Sequence, residues 1–334
     1  MITLVSVIIP HYNRSRLIEE AIASVQLQSL EDWEIIIVDD ISKENEWQHL
    51  KTLENNNIKV FQRAELPKGP SACRNIGVEK STGKYIVFLD SDDQLADHCL
   101  QQRVDFMEAN PAFKMGIFNM LKFEAKPGDR KDLFNQQFNS TEDNLRNFLR
   151  LNIPFQLTAA IWEKSFLQNL GGFNENMTYA EDPELHARAF LKARDEIKVL
   201  NDSRPDAFYK MPSAGHENTS PISDNSMRGR MDFVKHMHKA ILAAKGLTTT
   251  QIKNYKDDLS KAYKNIVSLS FNNSGTRLPK EFKKFSAYCY EHKIINRGQI
   301  VLSTAIIRVW ERENSFLKFF HLKGLLSKLF LKLG

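Results

Sequence analysis

A short apolar run that ends in a cluster of acids, GKYIVFLDSDD at residues 83–93, constrains the fold of this chain more than any other stretch. Residues 85–89 form a continuous run of aromatic, β-branched and other aliphatic residues, which is typical of a buried parallel strand. Asp90, Asp92 and Asp93 follow at its carboxyl end. Open α/β sheets bind ligands in the crevice beyond the carboxyl ends of their strands. The stretch therefore predicts a parallel sheet that presents three carboxylates to a ligand crevice.

Crowded carboxylates repel one another and resist desolvation, so the cluster favours a nearby cation. Hard oxygen ligands at a crevice suit Mg²⁺ or Mn²⁺, which can hold a phosphate group at the same time. The alternative is a polar turn whose aspartate caps the next helix. The stretch alone leaves both interpretations open.

Apolar runs and helix-patterned segments alternate along the first part of the chain, with predicted strands at residues 4–9, 33–38 and 58–61. Alternation at this pitch predicts βαβ units and a mostly parallel sheet. Asp39 and Asp40 end the second of these strands, so we expect them to share an edge of the sheet with the acids at 90–93. The fold class is therefore α/β.

The chain has 334 residues, which favours one large domain followed by an appendage. Beyond the Pro- and Ser-containing loop at 212–226 the pattern becomes helical, and we place the boundary between an α/β domain at 1–222 and a helical region at 223–334. The three cysteines are far apart and form no CxxC pair, which argues against structural zinc and a disulfide framework. The N-terminus lacks the pattern of a signal peptide, so a cytoplasmic location is expected.

Two further segments carry groups suited to ligand binding. The helix expected to open at Ser71 offers backbone N–H groups and the Arg74 guanidinium, which fit an anion or a base edge. Pro183 suits the first turn of a helix, which places Glu181 and Asp182 at that helix N-terminus. A Pro/Gly turn into a capped helix and a favourable helix dipole are the alternatives.

Together the motifs resemble glycosyltransferase family 2, enzymes of the GT-A fold. They are VSVIIPHYN at 5–13, IVDD at 37–40, CRNIG at 73–77, GKYIVFLDSDD at 83–93, GGF at 171–173 and ED at 181–182. The resemblance covers residues 4 to about 220. It implies inverting transfer of a sugar from a nucleotide diphosphate sugar, with UDP favoured, to an acceptor hydroxyl.

The resemblance also implies roles for particular residues. Pro10, Tyr12, Asp40 and Arg74 would bind the nucleotide, and Asp90 would hold the ribose or a metal-bound water. Asp92, with His216, would bind Mn²⁺ or Mg²⁺ on the diphosphate. Asp182, beside Glu181, would deprotonate the acceptor. The expected acceptor is a carbohydrate or lipid-linked glycan in surface polysaccharide or glycolipid synthesis.

Two other functions fit parts of the pattern. A metal-dependent phosphohydrolase would use Asp90 and Asp92 as an Asp-x-Asp site, although Gln94 stands where such sites usually have Thr or Val. A catalytically inactive sugar-nucleotide binder would have lost an essential carboxylate, yet Asp92 and Asp182 are both present.

The net charge of +5 is concentrated at the C-terminus, because residues 301–334 hold six Lys or Arg against two Glu. The rest of the chain is near neutral, which argues against nucleic-acid binding. In residues 315–333 helical spacing gathers most of the charges on one narrow face and leaves a broad apolar face. This pattern predicts a basic amphipathic helix on a membrane surface, with docking on the protein or on a second subunit as the alternative.

Overall fold

The computed structural model describes residues 3–64, 69–138, 140–212, 223–272 and 278–311. Its strands are β1 (Val5–His11), β2 (Trp33–Asp39), β3 (Ile58–Gln62), β4 (Tyr85–Phe88), β5 (Gln94–Leu95), β6 (Met115–Ile117), β7 (Met120–Phe123), β8 (Ala160–Glu163), β9 (Ile197–Val199) and β10 (Ala207–Lys210). Its helices are α1 (Ser15–Gln26), α2 (Glu44–Thr52), α3 (Pro70–Lys80), α4 (Cys99–Ala109), α5 (Thr141–Leu149), α6 (Lys164–Asn169), α7 (Glu181–Ala193), α8 (Asp224–Ala243), α9 (Thr249–Asn272), α10 (Pro279–Glu291) and α11 (Arg297–Glu311).

Seven strands form a mostly parallel sheet in the order β3-β2-β1-β4-β8-β6-β9. β1 is an interior strand and pairs in parallel with both β2 and β4. The Val, Ile, Tyr and Phe residues of these three strands are buried, as expected for strands covered on both faces. β8 is antiparallel to its two neighbours, β4 and β6. The predicted α/β class and parallel core are confirmed.

A second, three-stranded sheet has the order β5-β10-β7. β5 follows directly after the acid cluster at 90–93, and β10 pairs with it through Ala207 and Phe208. The loop carrying the acids therefore connects a strand of the large sheet to a strand of the small one.

The chain divides into two compact units. The first, called the sheet unit, spans Met1–Asn144, Ile153–Asn176 and Lys192–His216, and the second, called the helical unit, spans Leu145–Asn152, Met177–Leu191 and Glu217–Gly334. All ten strands of the described chain lie in the sheet unit. The predicted boundary after residue 222 falls at the end of 213–222, outside the described residues, and remains a prediction.

Polar contacts join the helices within the helical unit. Tyr263 on α9 bonds Ser286 on α10 at 2.8 Å, and Gln299 on α11 donates to Ser260 on α9 at 3.2 Å. Asp258 is fully buried and accepts from Arg146 and Arg150 at 2.7 Å each. Over the described ranges, no helix combines the length and hydropathy that a membrane crossing requires.

Candidate active site

The predicted meeting of acids at one edge of the sheet is confirmed. β1 and β2 run in parallel with His11 opposite Asp39, and β1 runs in parallel with β4 up to Ile8 opposite Phe88. The carboxyl ends of these strands therefore bring 39–40 and 90–93 to the same edge. This edge belongs entirely to the sheet unit.

Asp92 lies at the mouth of this edge and is paired with Arg14. An Nη of Arg14 donates to Oδ2 of Asp92 at 2.8 Å, and both side chains are about one-third exposed, 36% and 31%. Burial and the charge of Asp90 raise the pKa of Asp92, and the Arg14 guanidinium opposes that shift. The carboxylate therefore lies in a site where added positive charge stabilises it.

Asp90 is paired with Arg74, the guanidinium singled out in the sequence. An Nη of Arg74 donates to Oδ1 of Asp90 at 2.6 Å, and Arg74 is buried while Asp90 is one-third exposed. The guanidinium carbon also lies 5.3 Å from the ring centroid of Phe173. Arg74 is thus held by a carboxylate and by an aromatic ring in a cation–π contact.

Asp93 points into the protein, unlike Asp90 and Asp92. It is 2% exposed, accepts from the Thr158 hydroxyl at 3.1 Å and accepts from the Lys210 backbone N–H at 3.0 Å. Burial, followed by the charges of Asp90 and Asp92, raises its pKa well above the usual range. Asp93 therefore ties the acid loop to β10 and to the segment before β8.

The nucleotide-side residues expected from the sequence line the same edge. Nε of Arg63 lies 2.8 Å from Oδ1 of Asp40, with both side chains largely buried. Pro10 is half-buried in β1, and Tyr12 is 50% exposed just beyond it. Arg63 was missed in the sequence because nothing local connects it to Asp40.

A buried network that the sequence did not reveal fixes the loop after β1. His11 Nδ1 lies 3.0 Å from Asp39 Oδ1, and the backbone N–H of Arg14 donates to His11 Nε2 at 3.1 Å. Since Nε2 accepts, the imidazole proton lies on Nδ1 and is donated to Asp39. The Ser42 hydroxyl and the Gln62 amide also donate to Asp39. Burial raises the pKa of Asp39, but these hydrogen bonds more than offset it, and the net shift is downward.

Asn75 explains why the CRNIG and GGF motifs occur together. Its side chain donates to the Phe173 carbonyl at 2.9 Å and accepts from the Phe173 N–H at 2.8 Å. Gly172 has a φ of +66°, and a Cβ there would lie 2.5 Å from Asn75 Oδ1. Glycine is needed at 172 because the backbone is left-handed there and because a side chain would clash with Asn75.

Glu181 and Asp182 begin α7, as the sequence predicts, and they lie in the helical unit. Both are half-buried, and Ala180 just before them has a φ of +62°. Within the same unit Glu184 is buried and bonds Arg188 at 2.7 and 2.9 Å. His186, also on α7, is fully buried and stacks on Phe148 with ring centroids 5.1 Å apart.

His216, the second predicted metal ligand, lies outside the described residues. Among the residues that the structure describes, no group of three or more His, Cys, Asp or Glu side chains is arranged to hold a metal ion. The inward orientation of Asp93 removes one carboxylate from the surface cluster. Asp90 and Asp92 remain at the mouth, and one or two carboxylates together with substrate phosphates form the donor set that Mg²⁺ commonly takes.

A family model described as glycosyl transferase family 2 matches residues 6–167. This region of the chain, just under half of its length, is thus similar to glycosyltransferase family 2. The matched region contains Pro10, Asp40, Arg74, Asp90 and Asp92, and it ends before α7. The resemblance inferred from the motifs is confirmed.

Curated relatives of this chain are named glycosyltransferases. An uncharacterized glycosyltransferase of Rickettsia bellii is 33% identical over 180 residues, which are 53% of this chain and 25% of that protein. The GalNAc(5)-diNAcBac-PP-undecaprenol beta-1,3-glucosyltransferase of Campylobacter jejuni is 29% identical over 262 residues, 78% of this chain and 80% of that protein. The chain thus spans about a quarter of the Rickettsia relative's length.

Among solved structures, S. aureus TarS residues 1–349 in complex with UDP-GlcNAc match with a TM-score of 0.65 and 20% identity. The match covers 92% of this chain and 87% of that chain. At this identity the likeness concerns the fold, and the expected GT-A fold with a helical C-terminal region is confirmed.

Proposed function

We propose that this chain is an inverting glycosyltransferase of family 2 that moves a sugar from a nucleotide diphosphate sugar to an acceptor hydroxyl. The observation that carries the proposal is the pair Asp90 and Asp92 at the carboxyl edge of β4, inside the region matched to the family. UDP is the favoured nucleotide, since the TarS structure of the same fold contains UDP-GlcNAc.

The nucleotide is assigned to the edge formed by β1, β2 and β4. Pro10 and Tyr12 supply an apolar and aromatic surface for the base, and Asp40 supplies an acceptor beside it. Arg74 and Asp90 form a preset ion pair that can contact base or ribose. Because Arg63 and Arg74 hold these carboxylates in place, the site is organised before the nucleotide binds.

Asp92 is the assigned protein ligand for Mn²⁺ or Mg²⁺, with His216 as its expected partner. A bound divalent cation neutralises the negative charge that the leaving diphosphate acquires in the transition state. Asp92 suits this role since it is exposed to the crevice and crowded by Asp90. Asp93 supports it indirectly by anchoring the loop.

Asp182 is the assigned general base, and Glu181 is its neighbour in the first turn of α7. A sugar hydroxyl is a weak nucleophile, so a positioned carboxylate that takes its proton contributes about 10²–10⁴ in rate. A base and a leaving-group site on opposite faces of the anomeric carbon give inversion.

The acceptor is proposed to be a carbohydrate or a lipid-linked glycan. The Campylobacter relative, which this chain matches over most of its length, is named for an undecaprenol-linked acceptor. A lipid-linked acceptor would bring the enzyme to the inner face of the membrane. Peripheral attachment through 315–333 fits that setting, although these residues lie outside the described ranges.

The donor side is tested with a thermal-shift panel of nucleotide sugars, with and without Mn²⁺. Binding to the native state must raise the melting midpoint by mass action. We expect a UDP-sugar with Mn²⁺ to give the largest shift and Asp92→Asn to abolish both the Mn²⁺-dependent part and turnover. Hydrolysis of a simple phosphate ester without any effect of nucleotide sugars would instead support a phosphohydrolase.

The base is tested by comparing Asp182→Asn with Glu181→Gln, each close to isosteric. Asp182→Asn should lower transfer by about 10²–10⁴ while nucleotide-sugar binding survives. Glu181→Gln should cost less. The reverse ranking would assign the base to Glu181.

A further inference from the structure

Arg14 is paired with Asp92, the carboxylate to which the proposed function assigns the metal ion. Its guanidinium donates to Asp92 at 2.8 Å. At the mouth of the site Arg14 and Arg74 face Asp90 and Asp92, each Arg bonded to one Asp. This part of the edge is balanced in charge without any cation from solution.

The backbone around Arg14 is fixed from several sides. The N–H of Asn13 donates to the Ser42 hydroxyl at 2.9 Å, and the Asn13 side chain accepts from the Lys43 N–H at 2.9 Å. The Arg14 N–H donates to His11 Nε2. The Arg14 side chain, by contrast, is 36% exposed and extends into the mouth. Rotation of this side chain therefore needs no rearrangement of the loop.

The Arg14 guanidinium and a divalent cation compete for the carboxylate of Asp92. A divalent cation that binds Asp92 alone must displace the guanidinium, which then loses its carboxylate partner. A diphosphate that binds at the same time supplies that partner, because a guanidinium pairs well with phosphate oxygens. One movement of the Arg14 side chain then frees Asp92 for the cation and pairs the guanidinium with the diphosphate.

We propose that Arg14 couples the binding of the divalent cation to the binding of the nucleoside diphosphate at this edge. The inference rests on the proposed function and adds a residue that the family motifs did not mark. In the unliganded chain Arg14 neutralises Asp92; in the ternary complex it binds the diphosphate. Arg14 thereby disfavours metal binding without nucleotide and favours the two together.

The test measures a coupling factor with the full-length chain. Isothermal titration gives the dissociation constant of UDP in EDTA and in saturating Mn²⁺, corrected for Mn²⁺–UDP association in solution. The ratio of these two dissociation constants is the factor by which each ligand increases the affinity for the other. The electron paramagnetic resonance signal of free Mn²⁺ gives the affinity for Mn²⁺ alone.

Arg14→Gln should bind Mn²⁺ alone about threefold more tightly, since a partly exposed ion pair no longer competes. It should bind UDP with Mn²⁺ about tenfold more weakly, since one charge-assisted contact is lost. The affinity for UDP in EDTA should stay near its wild-type value, because Arg14 is then paired with Asp92 rather than with the diphosphate. The coupling factor should therefore fall by about tenfold. Arg14→Lys, which keeps the charge without the planar guanidinium, should fall between wild type and Arg14→Gln.

Arg16→Gln is the matched control, because Arg16 is exposed on the first turn of α1, the helix that begins directly after Arg14. It should leave all the constants at their wild-type values. An unchanged coupling factor in both Arg14 variants overturns the inference and leaves the proposed function intact. Failure of the wild-type chain to bind UDP or GDP with Mn²⁺ overturns the proposed function, and the inference with it.

Discussion

Arg103 and Asp206 form an ion pair in which both side chains are fully buried. Arg103 donates to both carboxylate oxygens, at 2.9 and 2.8 Å, and to the Thr158 carbonyl at 2.8 Å. Arg103→Met would leave the Asp206 carboxylate buried without its partner. We expect the free energy of unfolding, measured in urea, to fall by about 3–5 kcal/mol.

The double variant Arg103→Met/Asp206→Leu should lose less than the sum of the single variants, since no buried charge remains. Lys84 and Glu108 offer a matched exposed pair at 2.7 Å, with side chains about half exposed. Lys84→Met should cost less than about 1 kcal/mol. Equal losses at the two sites would contradict the role assigned to burial.

His238 on α8 is a buried histidine whose titration links stability to pH. It is 2% exposed and bonds the Tyr288 hydroxyl at 2.9 Å, while His236 on the same helix is exposed. Burial, together with the charges of Lys256 and His292, lowers the pKa of His238 from 6.5 to about 4. Between pH 6.5 and about 4, the unfolded chain therefore binds a proton at His238 that the folded chain does not bind.

Stability should consequently fall as the pH decreases from about 6.5 towards about 4. His238→Gln removes this titration, so its unfolding free energy should fall less over that interval than that of wild type, by about 1–3 kcal/mol. Urea unfolding at several pH values measures the difference. His236→Gln should behave like wild type, and a wild-type-like pH dependence in His238→Gln would refute the assignment.

Helix α3 packs so closely on β1 that Gly77 faces Ile8 directly. A Cβ at Gly77 would lie 2.3 Å from Ile8 Cγ2. Gly77→Ala must push the helix away from the strand, and we expect a loss of about 1–3 kcal/mol in urea unfolding. Ile8→Ala makes room for the methyl group, so Gly77→Ala should cost less in that background. Gly298→Ala, whose Cβ would meet Asn296 Oδ1 at 3.3 Å, is the control and should be nearly neutral.

For the whole chain, the sequence predicts that 315–333 binds an anionic membrane surface. Truncation after Glu313 should leave a folded protein that no longer co-sediments with anionic liposomes at low salt. Far-ultraviolet circular dichroism checks the fold of the truncated chain. Full-length protein that ignores such liposomes, or a truncated chain that unfolds, would show that the segment packs on protein instead.

The elements that the sequence predicted well carry strong local patterns. β1, β2 and β4 are continuous apolar runs, and α7 begins at Glu181 as Pro183 indicated. α8 begins at Asp224, within the segment 212–226 that the sequence predicted to be a loop. Gly229 has a low helix propensity and weakens the helical pattern there. Glycine is nevertheless required, because a Cβ at 229 would lie 2.5 Å from Tyr179 Cβ. Packing within the helical unit overrides the local preference.

Strand positions and acidic strand ends are set by the sequence itself, because hydrophobic periodicity and turn chemistry act over a few neighbouring residues. The partner of each acid is set only by the tertiary structure. Arg14 is 78 residues from Asp92 in the chain, and Asp93 meets Lys210 across 117 residues. Such pairs depend on strand register and on how the two sheets of the sheet unit meet. Local sequence patterns do not encode these long-range pairs. The motif alone therefore does not reveal that two of its three carboxylates lie at the mouth of the site and that the third is buried within the protein.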